Sequence, residues 1–133
     1  YVVRYAGEEF MLVLRDVPLD LVKEFALRLN ELVALEPFQL PDGRTVPMNC
    51  SVGYALYPLE LLGGQLIGWE VSLQLASLSA SQLLQNATPG VASLQFAGQV
   101  DAFEFEDSSH VEAQVERLLA AGLARFELKN TQL

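Results

Sequence analysis

Cysteine, histidine and tryptophan are nearly missing from this sequence, with one of each among 133 residues. A single cysteine, Cys50, excludes a disulfide within the chain, which is typical of a protein from a reducing compartment. Cys50 lies in an apolar, strand-like stretch, so we interpret it as a buried thiol and not as a nucleophile. The one histidine, His110, lacks the neighbouring ligands of a zinc site. Because the single cysteine is typical of a reducing compartment, we expect a cytoplasmic location.

Positive charge is also scarce, because 8 Lys and Arg residues face 17 Asp and Glu residues and leave a formal net charge of -9. Such an acidic chain is a poor partner for nucleic acid or for an anionic membrane surface. It also suits a nucleotide poorly unless Mg²⁺ bridges the negative charges. We therefore expect no nucleic-acid partner and no membrane contact from this chain.

No apolar run is long enough to span a bilayer, and no signal-peptide pattern opens the sequence. Hydrophobic residues nevertheless make up 51% of the chain, and the mean hydropathy is +0.26. A chain of this length and composition can bury a core without disulfides or metals, so we expect one folded domain.

The first fourteen residues carry the most informative pattern. Apolar residues flank the short segment Arg4 to Glu9 on both sides, which predicts a β-hairpin. Its tip presents Gly7, Glu8 and Glu9. A glycine allows close approach of a phosphate, and carboxylates are hard oxygen ligands for Mg²⁺. The alternative is a hairpin whose acidic tip is only solvated.

The next elements follow in a clear order. Asp16-Val17-Pro18 predicts the start of a helix whose apolar face holds Val22, Phe25, Leu29, Leu32 and Val33, and Glu36-Pro37 ends it. Pro41-Asp42-Gly43-Arg44 predicts a turn between short strands, and a long strand from Thr45 to Tyr57 follows. Within that strand, Gly53 indicates a close approach of another backbone. A second helix is predicted from Trp69 to about Gln85, with Leu73, Ala76, Ala80 and Leu83 on one face, and a strand from Val91 to Phe96.

Two of these motifs resemble the GGDEF domains, the diguanylate cyclases. Tyr5 to Phe10 is similar to their signature loop, with Ala6 in place of the first glycine and Glu8 in place of the aspartate. Ser51-Val52-Gly53-Tyr54-Ala55, followed by Tyr57-Pro58, is similar to a later strand of the family. The order and spacing of the two motifs also fit. The resemblance covers about residues 1–96 and enters the family pattern in its middle.

The resemblance implies a site for two GTP molecules, which the family condenses to cyclic-di-GMP at a dimer interface with metal ions. It gives Glu8 the catalytic role, Glu8 and Glu9 the role of Mg²⁺ ligands, and Gly7 and Glu9 the contacts to nucleotide. The chain departs from the family on the triphosphate side. Leu84 occupies the position of a lysine in the family, and Ser77 the position of an aspartate. Ala87-Thr88-Pro89 replaces the family's Gly-Arg-Asn. The family's first metal-binding aspartate and its guanine contacts lie in a preceding half that is not in this sequence.

Residues 97–133 are predicted as a strand-helix-strand extension packed on this domain. Its strands are Ala102–Phe105 and Leu123–Leu128, its helix starts with a capping box of Ser109 and Glu112, and Gly122 follows the helix. The expected fold is α+β, with a ferredoxin-like, antiparallel-rich sheet and helices packed on it. In the family's strand order, a strand missing here lies between the first hairpin and the Ser51 strand, so we expect upstream residues, or else a partner chain, to fill that gap.

Three functions follow from these observations. The first is a GGDEF-domain protein of cyclic-di-GMP signalling whose own catalysis is impaired, which binds GTP or cyclic-di-GMP and acts as a regulatory or dimerisation domain. The second is an active diguanylate cyclase in the full-length protein. The third is a protein-interaction domain that binds no nucleotide. A homodimer or other signalling domains of the same protein are the expected partners.

Overall fold

A computed structural model describes residues 2–6, 9–35, 37–57, 59–61, 66–86, 89–98, 100, 102–105 and 108–129. The fold belongs to the α+β class, as the sequence predicts. The helices are α1 (Leu19–Leu35), α2 (Trp69–Gln85) and α3 (Val111–Ala120). The strands are β1 (Val2–Ala6), β2 (Glu9–Leu12), β3 (Phe38–Gln39), β4 (Thr45–Val46), β5 (Ser51–Gly53), β6 (Leu59–Glu60), β7 (Leu66–Ile67), β8 (Gly90–Phe96) and β9 (Ala124–Lys129).

The main sheet has three strands in the order β5-β8-β9. Strands β5 and β8 are parallel, with Gly53 opposite Ala92, and α2 connects them. Strand β9 runs antiparallel along the whole outer side of β8, from Val91 opposite Lys129 to Phe96 opposite Ala124. The predicted extension therefore contributes a strand to the same sheet as the preceding segment.

The apolar core lies on the face of this sheet that α2 and α3 cover. Its largest fully buried side chains include Leu75 and Leu83 of α2 and Leu118 of α3. Phe105 is also buried there and contacts Phe96 of β8 edge to face, with ring centroids 5.4 Å apart. Burial of such side chains is the main stabilising contribution to a fold of this size.

Helix α1 packs against β5 and β8 on the opposite face of the sheet. Gly53 and its partner Ala92 face α2, and side chains alternate along a strand, so Ser93 points to the other face. Glu127, the partner of Ser93 on β9, forms an ion pair with Lys23 of α1. The sheet is therefore covered by helices on both faces.

The apolar face predicted for α1 is partly wrong. Ala26 and Asn30 are its buried residues, with Val22, Leu29 and Val33 half-buried, whereas Phe25 and Leu32 are exposed. Leucines and a phenylalanine occur nearly all around this helix, so the spacing alone did not distinguish the side that contacts the sheet.

The predicted long strand from Thr45 to Tyr57 is also wrong, because it divides into β4 and β5. Pro47 has no backbone N–H to donate to a neighbouring strand, which disfavours strand pairing at that point. The carbonyl of Cys50 accepts a hydrogen bond from Asn30 Nδ2 at 2.6 Å, so the residue just before β5 is bonded to a side chain of α1. The Asp42-Gly43 turn before β4 is confirmed, since Gly43 has a φ of 89° and Arg44 N–H donates to Asp42 Oδ1.

Two corrections concern the later segments. Ala102–Phe105, predicted as a strand, forms a turn of 3₁₀ helix, which buries Phe105 while Glu104 pairs with Arg117 of α3 at 2.7 Å. The sequence predicts no strand between Tyr57 and α2, but the paired strands β6 and β7 lie there. Both errors arise because short apolar runs give no reliable period.

The ends of α3 were predicted with mixed success. Its N-cap is His110 and not Ser109, and no side-chain capping bond is made there. Its C-terminal end follows the prediction, because Gly122 has a φ of 76°. Gly122 N–H donates to Leu119 O at 3.2 Å and Leu123 N–H to Leu118 O at 2.9 Å, the two bonds of a Schellman motif. In the part of the chain that the structure describes, no helix is long and apolar enough to cross a membrane.

Candidate functional site

The N-terminal hairpin that carries the first motif is present. Strands β1 and β2 pair antiparallel, with Arg4 opposite Phe10 and Ala6 opposite Glu9. The register shifts between Arg4 and Ala6, so one strand has an irregularity next to the motif. Glu9 is the first residue of β2 and is exposed, as expected. Gly7 and Glu8, the other predicted site residues, lie outside the described residues.

Glu9 by itself supplies one carboxylate, which is too few ligands to hold a metal ion. Mg²⁺ needs near-octahedral coordination by oxygen atoms and usually takes one or two carboxylates together with phosphate oxygens and water. Among the described residues, no group of three or more His, Cys, Asp and Glu side chains is arranged to hold a metal ion. Within the part of the chain that the structure describes, Glu9 therefore does not belong to a metal site by itself.

The second motif is located where α2 meets the sheet. A Cβ atom on Gly53 would lie 2.0 Å from Ala76 O and 2.5 Å from Ala80 N, so the helix backbone rests directly on this glycine. The close approach predicted for Gly53 is thus confirmed. This contact fixes the position of α2, and with it Ser77 and Leu84, which follow on the same helix.

Asn30 joins α1 to the ends of two strands, a role that the sequence did not reveal. It is 3% exposed, and its Nδ2 donates to Cys50 O at 2.6 Å and lies 3.4 Å from Gly90 O. Burial raises the pKa of the Cys50 thiol, and the hydrogen bond from Asn30 opposes that rise. A polar residue four positions after the buried Ala26, inside an otherwise apolar face, is the signal that could have identified it.

A cleft of about 440 Å³ opens where β8 continues beyond the end of β5. The last bond between these strands runs from Tyr54 N–H to Ala92 O at 3.1 Å, and the chain from Tyr54 to Leu61 then borders the cleft. Gln95 Nε2 donates to Ser93 Oγ at 3.0 Å on its β8 side. The volume falls within the range of small-molecule sites.

The charge in this cleft does not suit phosphate. Among its described lining residues, Glu60 is the only charged one, and the others are apolar or neutral. A nucleotide there would meet a carboxylate without a balancing cation. Glu9 is not among the residues that line the cleft, so the structure gives no support for one site made of both features.

Several of the chain's few cations are held by carboxylates. Lys23 pairs with Glu127, Arg44 with Asp42 at 2.7 Å, and Arg117 with Glu104. The hydrogen bond to Glu127 raises the pKa of Lys23. These pairs reduce the positive charge that is left to bind an anion.

The position that the resemblance gives to a phosphate-binding lysine holds Leu84, which is 64% exposed near the end of α2. Ser77, at the position of an aspartate, is also exposed. An exposed leucine offers no charge or donor to a triphosphate.

Comparisons with models of known protein families, with curated proteins and with solved structures found no match.

Proposed function

We propose that this chain is the later part of a degenerate GGDEF domain that acts in cyclic-di-GMP signalling as a regulatory or dimerisation domain in the cytoplasm. The observation that carries the proposal is the agreement between two motifs and their elements. Arg4 to Ala6 pairs antiparallel with Glu9 and Phe10, and Ser51 to Gly53 forms a strand whose glycine contacts the following helix. The helix α1 and the small β3–β4 hairpin lie between them, in the order that the resemblance implies.

Under this proposal we expect weak catalysis, for an electrostatic reason. Phosphoryl transfer between two GTP molecules develops charge that metal ions and cationic side chains must neutralise. Leu84 and Thr88 stand where the family has cations, and the formal net charge of the chain is -9. Gly7, Glu8 and Glu9 would still bind a Mg²⁺-loaded phosphate, although without a cationic partner on the other side.

A role through protein contacts has its own support. The β1–β2 hairpin leaves Val2 and Phe10 exposed, and the segment that leads to α1 leaves Val13 and Leu14 exposed. Isolated exposed apolar residues are normal, but a concentration of them indicates an interaction surface.

The test is a titration of GTP and of cyclic-di-GMP into the protein, with and without Mg²⁺, followed by an assay for product. We expect no cyclic-di-GMP from this chain above the level of the Glu8→Ala variant, because the cationic contacts are replaced. Product that disappears in Glu8→Ala would favour the active cyclase instead. Failure to bind either nucleotide, with or without Mg²⁺, would favour a protein-interaction domain outside nucleotide signalling.

A further inference from the structure

Helix α1 has a second apolar stripe that points away from the sheet. The stripe consists of Leu21, Phe25, Leu32 and Leu35, whose exposed fractions are 45, 41, 52 and 62%. At about 100° per residue these four side chains, together with the exposed Arg28, fall within about 80° of arc. The side that contacts the sheet, around Ala26 and Asn30, is centred well away from this arc.

The stripe resembles the seam of a two-helix contact. With Arg28 included, its positions recur at alternating spacings of four and three residues, which keeps them on one line along the helix. From Leu21 to Leu35 the stripe is about 21 Å long. No described part of the chain covers it, so the helix is apolar on two sides and one of them is left in water.

The stripe is nearly symmetric about Arg28. Leu21 and Leu35 lie seven residues before and after Arg28, while Phe25 and Leu32 lie three before and four after. When such a helix is turned end to end on an identical one, Leu21 of each copy meets Leu35 of the other, and Phe25 of each copy lies within one residue of the level of Leu32 of the other. This self-complementarity is what a two-fold symmetric contact requires.

The charges beside the stripe fit the same arrangement. Exposed Glu24 and Glu31 border it on one side, and Arg28 lies between them in sequence. In an antiparallel pair centred on Arg28, Glu31 of the second copy lies opposite residue 25, which is three residues or about 4.5 Å along the axis from Arg28 and within reach of its long side chain. Two equivalent ion pairs therefore form across the symmetry axis.

We infer that α1 pairs antiparallel with α1 of a second copy of this chain, with the stripe buried between them and with Arg28 of each copy on Glu31 of the other. The inference rests on the dimerisation role in the proposed function and names its surface. One helix pair buries less than a standard interface, so the dimer is weak.

A charge-exchange experiment tests the pairing without any nucleotide. Sedimentation equilibrium of the unchanged chain should detect a dimer. Arg28→Glu alone and Glu31→Arg alone should each raise the dissociation constant about tenfold or more, because each puts like charges opposite one another. An equimolar mixture of these two variants restores both ion pairs, and it should dimerise about as well as the unchanged chain.

The controls separate this result from other causes. Glu116→Arg makes the same charge change at an exposed position of α3 and should leave the dissociation constant unchanged. Circular dichroism of each variant checks the fold. A monomer at concentrations up to about 1 mM, or a mixture no better than its components, would overturn the antiparallel pairing. Because no GTP is present, such a failure leaves the nucleotide titration unaffected.

Discussion

At the scale of single residues, the structure separates backbone requirements, which the sequence reveals, from polar contacts, which it does not. A glycine inside an apolar strand has few explanations other than close approach, and Gly53 was predictable for that reason. The partner of a buried amide depends on the tertiary arrangement. The hydrogen bonds of Asn30 to distant carbonyls were therefore not predictable from the sequence. The roles of Gly7 and Glu8 as site residues stay predictions.

Gly53→Ala should lower the free energy of unfolding by at least about 2 kcal/mol, because its Cβ would overlap the backbone of α2 at Ala76 and Ala80. Urea denaturation followed by circular dichroism measures the change. Gly68→Ala is the matched control, since a Cβ there has no atom within 4 Å and the backbone φ is -70°. Equal effects of the two substitutions would show that α2 does not rest on Gly53.

At the scale of elements, the positions of the three helices and of β8 and β9 were predicted well, because each has several turns or residues of regular pattern and a clear stop signal. Gly122 and its Schellman motif are an example. The short strands were not predicted well. The alternation of apolar and polar residues over Ala102–Phe105 is equally compatible with a turn of 3₁₀ helix. In that turn Phe105 is buried in the core and Glu104 forms an ion pair with Arg117.

The β1–β2 hairpin and α2 should differ sharply in their response to loss of apolar side chains. Phe10→Ser should change the free energy of unfolding by less than about 0.5 kcal/mol, because Phe10 is 63% exposed. Leu75→Ala should cost about 2 to 5 kcal/mol, because Leu75 is fully buried in the core. Denaturant titrations of both variants measure this. A large loss for Phe10→Ser would mean that the hairpin packs on the rest of the fold.

At the scale of the whole molecule, the α+β class followed from the alternation of helical and strand patterns. The ferredoxin-like strand order implied by the resemblance stays a proposal. In the described part of the chain, β2 pairs with β1 and β5 pairs with β8, and neither β2 nor β5 has a second strand beside it. This arrangement is compatible with the expected gap between the hairpin and the main sheet. A two-stranded hairpin is marginally stable by itself, so the gap matters for stability.

Amide hydrogen exchange should reveal these unequal strands. We expect the slowest exchange in β8, which has a strand on each side, and much faster exchange in β2 and β5. If another segment fills the gap in a longer protein, exchange should slow in β2 and β5 together and not in β8. Protection of β2 equal to that of β8 in the monomeric chain would contradict the observed pairing.

The position of β8 between β5 and β9 has a consequence for synthesis on the ribosome. Once β8 has emerged from the ribosome it can pair with β5, but the end of β9 at Lys129 follows 33 residues after Phe96. At translation rates of about 5 to 20 residues per second, the outer side of β8 stays open for about 2 to 7 s. During that interval a nascent chain presents an unpaired apolar strand, which is the kind of surface that chaperones bind and that aggregates.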